Sequence, residues 1–439
     1  MSYDAIIIGA GPGGYSTAIR LGQKGKKVLL IEKDKIGGEC LNYGCIPSKA
    51  FIELGNSIGY LKDMPGVDLN YSLDMNTWQD WKWSMINKLT SGVETLCKSY
   101  GVEVVRGEAY VADSRHVKAG DEVFEGENLV IATGSSPIRL DGFEGVDFNR
   151  EILDIKKIPE SLVIIGGGYI GIELGTAFAK LGTKVTIIEM MQSILPEVEH
   201  ELVRPVQRRL RELNVEIRTS ARVSGVRKGG NYTVSLEDGT AIESEKVLLT
   251  VGRVPNTKGL GLENLQLEMD GRFIKTDRRK KTNIPNVYAI GDVSGGPMLA
   301  HKAFYEADVV ADNISGEDTV VDYRAMPYVI YSDPEIAYTG KFEGEHTRFP
   351  AAANGRSLGM NNSLGNFSIY YDEKGYVKGA GIVAPHSSEL ISEITLAIES
   401  GLLAMDIGLT IHPHPTISEG VKESAEASYG KSLHFKSRS

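Results

Sequence analysis

The chain has 439 residues, 41% of them hydrophobic, and a formal net charge of -10 from 48 Lys+Arg against 58 Asp+Glu. That length exceeds a single hydrophobic core and suits roughly two to four domains, while the acidic balance opposes a phosphate backbone and excludes nucleic acid as an expected partner, the basic runs at 208–211 and 278–281 reading as solvated faces. No window approaches the ~20 consecutive apolar residues of a membrane span and no charged leader precedes the apolar run AIIIGAG, so the expectation is a cytoplasmic protein with no membrane partner.

That apolar run reads as a strand. It enters Gly9-Ala10-Gly11-Pro12-Gly13-Gly14, a G-x-G-x-x-G motif, followed by the helical pattern YSTAIRLGQKG and the strand KVLLIE, which closes on Glu32. Next comes GGECLNYGCIPSK, residues 37 to 49, with Cys40 and Cys45 five positions apart in a chain of only 3 cysteines. Three cysteines cannot build a disulfide framework, and in a reducing compartment such a pair reads as redox-active or metal-binding ahead of structural. Tetrahedral zinc needs two further ligands that the sequence does not place nearby, so redox chemistry is favoured and no metal is expected. Cys97, in an apparent helix, reads as a buried spectator. Pro47 suits the first turn of a helix, which would put Cys45 near a helix N-terminus, where unpaired N–H groups and the dipole lower a thiol pKa.

The first arrangement then repeats. Strand SLVIIG leads into Gly166-Gly167-Gly168-Tyr169-Ile170-Gly171, helix IELGTAFAKLG and strand KVTIIE, ending in Glu189; each glutamate stands 18 residues after the last glycine of its motif. One such motif is weak evidence, since glycines also serve tight turns. Two, each between a strand and a helix with an acid at the ribose distance, point to two dinucleotides. Around them, VIATGSSP (130–137), LTVGRVPNT (249–257) and NVYAIGDV (286–293) each run from an apolar strand into a turn. Asp292 there reads either as a turn former or as a carboxylate for a polyol hydroxyl. Glu189 would accept from a free ribose 2′-OH and repel a 2′-phosphate, and MMQSIL behind it offers no arginine, which favours NAD over NADP. Near the end, IHPHPTISEGVKES (411–424) holds His412 and His414, the latter between Pro413 and Pro415, with the His414–Pro415 bond a candidate for the cis form. Glu419 reads two ways, as the orienting partner of a histidine base or as the far end of a T-x-x-E capping box begun by Thr416.

Together these segments resemble the pyridine-nucleotide disulfide oxidoreductase family over nearly the whole chain. Within it GPMLAHKAFYEA (296–307) and VKESAEASYGKSLHF (421–435) are similar to the branch that oxidises dihydrolipoamide. The resemblance implies an α/β fold of two Rossmann-like dinucleotide-binding domains and a C-terminal α+β interface domain. The FAD-binding domain would run over 1–140, the NAD-binding domain over 141–264, a segment returning to the FAD site over 265–324, and the interface or dimerisation domain over 325–439. It implies that Gly9, Gly11, Gly14, Glu32, Thr133, Gly134 and Asp292 face FAD, and that Gly166, Gly168, Gly171 and Glu189 face NAD. Cys40 and Cys45 would form a redox disulfide, with Cys45 the thiol against the flavin and Cys40 the one that meets substrate. Lys49 would pair with Glu173 near the flavin. His414 would be the acid-base residue, oriented by Glu419 and supplied across a homodimer, and His412 would be structural. The implied reaction oxidises the dihydrolipoyl group of a lipoyl-bearing carrier protein or 2-oxo acid dehydrogenase complex component and passes hydride to NAD+. Another NAD(P)H-linked disulfide or metal-ion reductase, and a non-catalytic flavoprotein redox sensor, remain open at this point. Two departures stand out. Glu39 occupies the place of a small hydroxyl residue and would raise the neighbouring thiol pKa unless turned to solvent. Residues 341–349 replace a helix of several turns, which puts interface geometry in question.

Overall fold

The structure is a computed structural model and describes residues 2–436. It opens with β1 (Ser2–Ile8), α1 (Pro12–Gln23) and β2 (Val28–Glu32), the strand, helix and strand around the first glycine motif. β1 and β2 pair in parallel, Ile6 opposite Leu29, and every residue of β2 is buried, as a strand covered on both faces requires. Alternate residues of β1 serve two cores: Ala5 and Ile7 pack with Ala18 and Leu21 of α1, while Ile6 and Ile8 share a cluster with Leu262 and Leu265. There follow α2 (Gly38–Tyr43), α3 (Cys45–Asp63), α4 (Met75–Ser99), β3 (Glu103–Arg106), β4 (Ala109–Val111), β5 (His116–Ala119) and β6 (Glu122–Ile131). The strand order is β3-β2-β1-β6-β5-β4.

A link carrying β7 (Ser135–Pro137) and α5 (Asn149–Ile152) leads to the second unit, β8 (Ser161–Ile165), α6 (Tyr169–Lys180), β9 (Lys184–Ile188), α7 (His200–Glu212) and β10 (Glu216–Arg218). After an antiparallel insertion of β11 (Val223–Lys228), β12 (Tyr232–Leu236) and β13 (Ala241–Ser244), β14 (Lys246–Leu249) joins β8 and completes the order β10-β9-β8-β14. β15 (Arg253–Pro255) pairs back on β7, β16 (Met269–Asp270) pairs with β17 (Phe273–Ile274), and β18 (Val287–Ala289) returns to the first sheet beside β6. α8 (Ala300–Ile314) then lies on α1, with Ala307, Val310 and Ala311 in the same core as Ala18 and Leu21.

The last unit holds β19 (Tyr328–Ile330), β20 (Glu335–Gly340), β21 (Glu345–Pro350), α9 (Gly355–Gly359), β22 (Asn366–Tyr371), β23 (Val377–Ala384), α10 (Ser387–Glu399), α11 (Ala404–Leu409) and α12 (Glu419–Ala427). Its antiparallel sheet has the order β19-β20-β23-β22-β21, packed by Ile391, Ile394, Ile407 and Val421 of the helices. The segment short in the sequence is the connection from β20 to β21. It must cross three strand spacings, ~14 Å, and the steps from Gly340 to Glu345 reach ~17 Å only when extended. It is therefore a nearly straight strap with no room for a helix. Phe342 fixes it, stacked on Tyr370 with ring centroids 4.6 Å apart and planes 7° apart.

Candidate active site

The two glycine motifs are built alike. Gly9 has φ +95° and Gly166 φ +108°; a Cβ on Gly14 would lie 1.7 Å from Gly9 O, and one on Gly171 2.2 Å from Gly166 O. The outer glycines are thus required by the turn itself. A Cβ on Gly11 or Gly168 would meet nothing within 4 Å, so the middle glycine faces open space where a bulky group can come close to the backbone. Both residues are N-caps without side-chain bonds, leaving the first N–H groups of α1 and α6 free for an anion. The acids do more than the sequence suggests. Glu32 accepts the N–H of Ala10 at 2.7 Å and of Asp34 at 2.8 Å, and Glu189 accepts those of Gly167 and Met191, each at 2.7 Å. Each carboxylate clamps its own glycine loop and keeps lone pairs for further donors.

The remaining Gly-rich turns interlock. Thr133 Oγ1 donates to Asn256 O at 2.7 Å, and Asn256 Nδ2 donates back to Thr133 O at 2.9 Å. Asp292 accepts from Ser135 Oγ at 2.5 Å, and Arg253 donates to both Ser135 Oγ and Ser135 O at 2.8 Å. Behind Asp292, the Gly291 N–H donates to Glu306 at 2.7 Å, and the fully buried Glu306 also holds Lys280 at 2.9 Å, Lys302 at 3.1 Å and the Tyr323 hydroxyl at 2.7 Å. Burial alone would raise the Glu306 carboxyl; the two ammonium charges outweigh it and hold the group below the usual carboxylate range. Sequence reasoning missed this support, although Lys302 and Glu306 stand one helical turn apart in a segment it had singled out.

These turns line a cavity of about 590 Å³ that also contains Cys40, Cys45, Lys49, Tyr169 and Glu173. A second cavity of about 920 Å³ shares Gly9, Glu32 and Thr133 with it and extends to Glu108, Lys258 and Arg272, residues the sequence did not flag. The two cavities meet at the first glycine cradle, and a dinucleotide spanning both would have its pyrophosphate there.

Cys40 and Cys45 are disulfide-bonded. Cys45 opens α3, with Pro47 in the same turn and no side chain capping the helix, so its sulfur sits where free N–H groups favour a thiolate. Lys49 lies on the same helix, 2.9 Å from Glu173 of α6. Glu173 is buried, and its other oxygen accepts the Tyr331 N–H at 2.9 Å, so this pair joins three segments rather than decorating a surface helix. Glu39 is not turned to solvent. It accepts from Asn149 and from Arg150, each at 2.7 Å. Cys97 is a buried free thiol in α4, pushed up to about 11 by desolvation.

In the last unit, His414 Nδ1 lies 2.8 Å from Glu419 Oε1, while Glu419 Oε2 accepts the Thr416 N–H at 2.9 Å. One carboxylate therefore bonds both the histidine ring and the Thr416 N–H. The box is only half formed, since the Thr416 hydroxyl bonds Pro413 O and Ser418, and α12 starts at Glu419 itself. Burial would raise the Glu419 carboxyl, but the Thr416 N–H and the His414 ring outweigh it and hold it below the usual range. The His414–Pro415 bond is cis, as is Asp333–Pro334. The His414 side chain is 78% exposed and does not line the cavity that holds the disulfide. The His412 side chain is covered between Glu393 and Thr410 O, and the Glu393 carboxylate raises its pKa. Among the described residues no group of three or more His, Cys, Asp or Glu is placed to hold a metal ion, and no helix is long and apolar enough to cross a membrane.

Residues 3–307 match the family described as pyridine nucleotide-disulphide oxidoreductase, and residues 326–425 match its dimerisation domain. The chain belongs to the pyridine nucleotide-disulphide oxidoreductase family. It is 45% identical to the dihydrolipoyl dehydrogenase of Bacillus subtilis over 458 aligned positions, covering 98% of this chain and 97% of that one. To the dihydrolipoyl dehydrogenase of Geobacillus stearothermophilus it is 43% identical, with the same coverage. Among solved structures, LpdA from Mycobacterium tuberculosis superposes with a TM-score of 0.90 at 26% identity, covering 97% of this chain and 99% of that one. The aligned length with the B. subtilis enzyme exceeds the 439 residues of this chain, so that relative carries residues absent here. Membership brings FAD and NAD as cofactors and a homodimer through the C-terminal domain. The paired glycine cradles, each with an open middle position, fit two such dinucleotides.

Proposed function

We propose that this pyridine nucleotide-disulphide oxidoreductase is a cytoplasmic dihydrolipoamide:NAD+ oxidoreductase, acting on the lipoyl group of a carrier protein or 2-oxo acid dehydrogenase complex component. The observation that carries this reading is the disulfide of Cys40 and Cys45 in one cavity with the first glycine cradle and with Tyr169 and Glu173 of the second unit. The dihydrolipoyl names of the relatives supply the substrate class. On this reading residues 1–140 and 265–324 form the FAD-binding part, 141–264 the NAD-binding domain and 325–439 the interface domain.

A substrate thiolate attacks Cys40 Sγ, the bond between Cys40 and Cys45 breaks, and Cys45 leaves as a thiolate stabilised by the start of α3. His414 takes the proton of the second substrate thiol. That sulfur attacks the first substrate sulfur, the cyclic lipoyl disulfide departs, and Cys40 is released and takes the proton from His414. Bound FAD supplies two-electron acceptance from the reduced cysteine pair and hydride delivery to NAD+. The balance is one dithiol and NAD+ converted to one disulfide, NADH and a proton. Gly9, Gly11, Gly14, Glu32, Thr133, Gly134 and Asp292 hold the flavin dinucleotide in this scheme, and Gly166, Gly168, Gly171 and Glu189 the nicotinamide one. Because His414 stands outside its own disulfide cavity, the histidine at each site comes from the second copy.

The test is anaerobic turnover of the purified yellow protein with dihydrolipoamide and NAD+, beside glutathione disulfide with NADPH. Rapid NADH formation with the first pair and none with the second supports the reading. Protein purified without flavin, or preferring glutathione disulfide, refutes it, and a flavoprotein that turns over neither pair would be a sensor.

A further inference from the structure

The residue before the substrate-facing cysteine is the least expected feature of the redox loop. Glu39 Oε1 accepts Asn149 Nδ2 at 2.7 Å, and Glu39 Oε2 accepts Arg150 Nη2 at 2.7 Å and Nε at 3.2 Å. Arg253 Nη2 approaches Oε1 to 3.9 Å. The grip continues along the loop: the same Asn149 amide donates to Tyr43 O at 2.8 Å, and the Arg150 guanidinium lies 3.8 Å from the Tyr43 ring centroid. Asn149 and Arg150 open α5, which belongs to the link between the two dinucleotide units. The redox segment, α2 with the step to Cys45, is therefore held at Glu39 and at Tyr43 by one short helix outside its own unit.

A free carboxylate beside Cys40 would oppose its thiolate. Asn149 and Arg150 aim Glu39 at α5 instead, with the Arg253 charge, on β15, 3.9 Å away. Other charges about the segment include Asp34, 3.5 Å from Arg150 Nη1, Lys35 over the Tyr43 ring, the paired Lys49 and Glu173 on the side of α3, and Arg139 and Glu151, which line the same cavity; Asp292 is reached through Ser135 and Arg253. We propose that Glu39 is a positioning residue whose grip by Asn149 and Arg150, beside the Arg253 charge, pins the Cys40 end of the redox segment to the inter-unit link and keeps the carboxylate from opposing the substrate-facing thiolate. This rests on the reading of Cys40 and Cys45 as the redox disulfide.

Asn149 gives the cleanest test because it is neutral: replacing it changes no charge, so a shift at Cys40 has to come from altered geometry. The flavin-loaded protein is reduced anaerobically with one equivalent of dithiothreitol. The rate at which iodoacetamide alkylates Cys40 is then followed against pH, with the modified residue located by peptide mass. Asn149→Ala should slow alkylation at neutral pH by about threefold, an apparent thiol shift upward of about half a pH unit, and Glu39→Gln/Asn149→Ala should return it to the rate of Glu39→Gln alone. Arg150→Ala should behave likewise, with Arg150→Lys restoring part of the rate. The proposal is overturned if Asn149→Ala leaves the profile in place, or if it shifts the profile equally with Gln at position 39, since a loosened loop alone would do that. Failure to release an alkylatable Cys40 on reduction would overturn the redox reading itself, and is told apart because it appears already in the wild type.

Discussion

Glu419 divides its two oxygens between His414 and the Thr416 N–H, so the imidazole is fixed against the start of α12 rather than left on a flexible loop. That makes His414 the candidate proton shuttle, and His412, committed to Glu393 and Thr410 O, a structural one. His414→Gln should slow dihydrolipoamide oxidation by ~10²- to 10⁴-fold while leaving electron transfer from NADH to a dye largely intact, because only the thiol half-reaction needs the shuttle. His412→Gln should do much less, and equal losses in the two would place the chemistry elsewhere. At the cofactor end, the ratio of kcat/KM for NAD+ over NADP+ should be high in the wild type and fall in Glu189→Ala. Because Glu189 also clamps Gly167 and Met191, that variant should weaken NADP+ as well as NAD+, whereas a carboxylate serving ribose selectivity alone would weaken NAD+ and leave NADP+ unchanged or tighter. Sequence alone marked Glu32, Glu189 and Glu419, because each lies at a fixed short spacing from its motif. It read Glu32 and Glu189 only as ribose acceptors and missed their bonds to the N–H groups of their own loops, whereas for Glu419 the T-x-x-E spacing did raise a bond to the Thr416 N–H as one of two readings.

Elements with strong periodicity were legible: both strand, helix and strand units around the glycine motifs stand where the apolar runs put them. α5 and the antiparallel insert β11 to β13 were not, the first being four residues long and the second having short, half-exposed strands. The support beneath the Gly291 turn was hidden for another reason, as Lys280, Lys302, Glu306 and Tyr323 meet only when β18 returns to the first sheet and α8 packs beside it. Glu306 is the fully buried anion that both ammonium groups contact. Glu306→Gln should leave Lys302 buried without a counter-charge and Lys280 with only the weaker influence of Asp277, and cost about 3–5 kcal/mol in denaturant unfolding. It should also loosen the turn that carries Asp292, so the variant should lose flavin on dialysis faster than the wild type. Unchanged flavin retention would detach the cluster from the cofactor site.

At the scale of the whole molecule, Asp333 joins the units through Lys180 of α6 at 2.7 Å and Arg209 of α7 at 2.9 Å, with Asn362 donating to it at 2.9 Å and Arg209 also reaching Asp63 at the end of α3. Burial would raise its carboxyl; the Lys180 and Arg209 charges outweigh it and hold the folded value below the usual one. The stabilisation is then complete above the unfolded value, about pH 4, and is lost as pH falls through the lower folded value. Asp333→Asn should lower stability by about 3–5 kcal/mol at neutral pH, and its deficit against the wild type should shrink in strong acid. A deficit independent of pH would mean the junction is held by shape alone. The last unit makes a larger claim on the assembly. In the same unit as the exposed His414, Ile411 is 94% exposed, Leu409 67% and Leu396 64%, apolar side chains that a second copy would cover. If that copy's His414 completes the site, Cys45→Ser and His414→Gln subunits, each inactive as a homodimer, should regain about half the wild-type activity per dimer when paired, because one of the two sites then has both an intact disulfide and an intact histidine. Dual-tag purification of the heterodimer followed by dihydrolipoamide turnover measures this directly. A purified heterodimer without activity would require His414 to reach the disulfide of its own chain, against its placement outside that cavity.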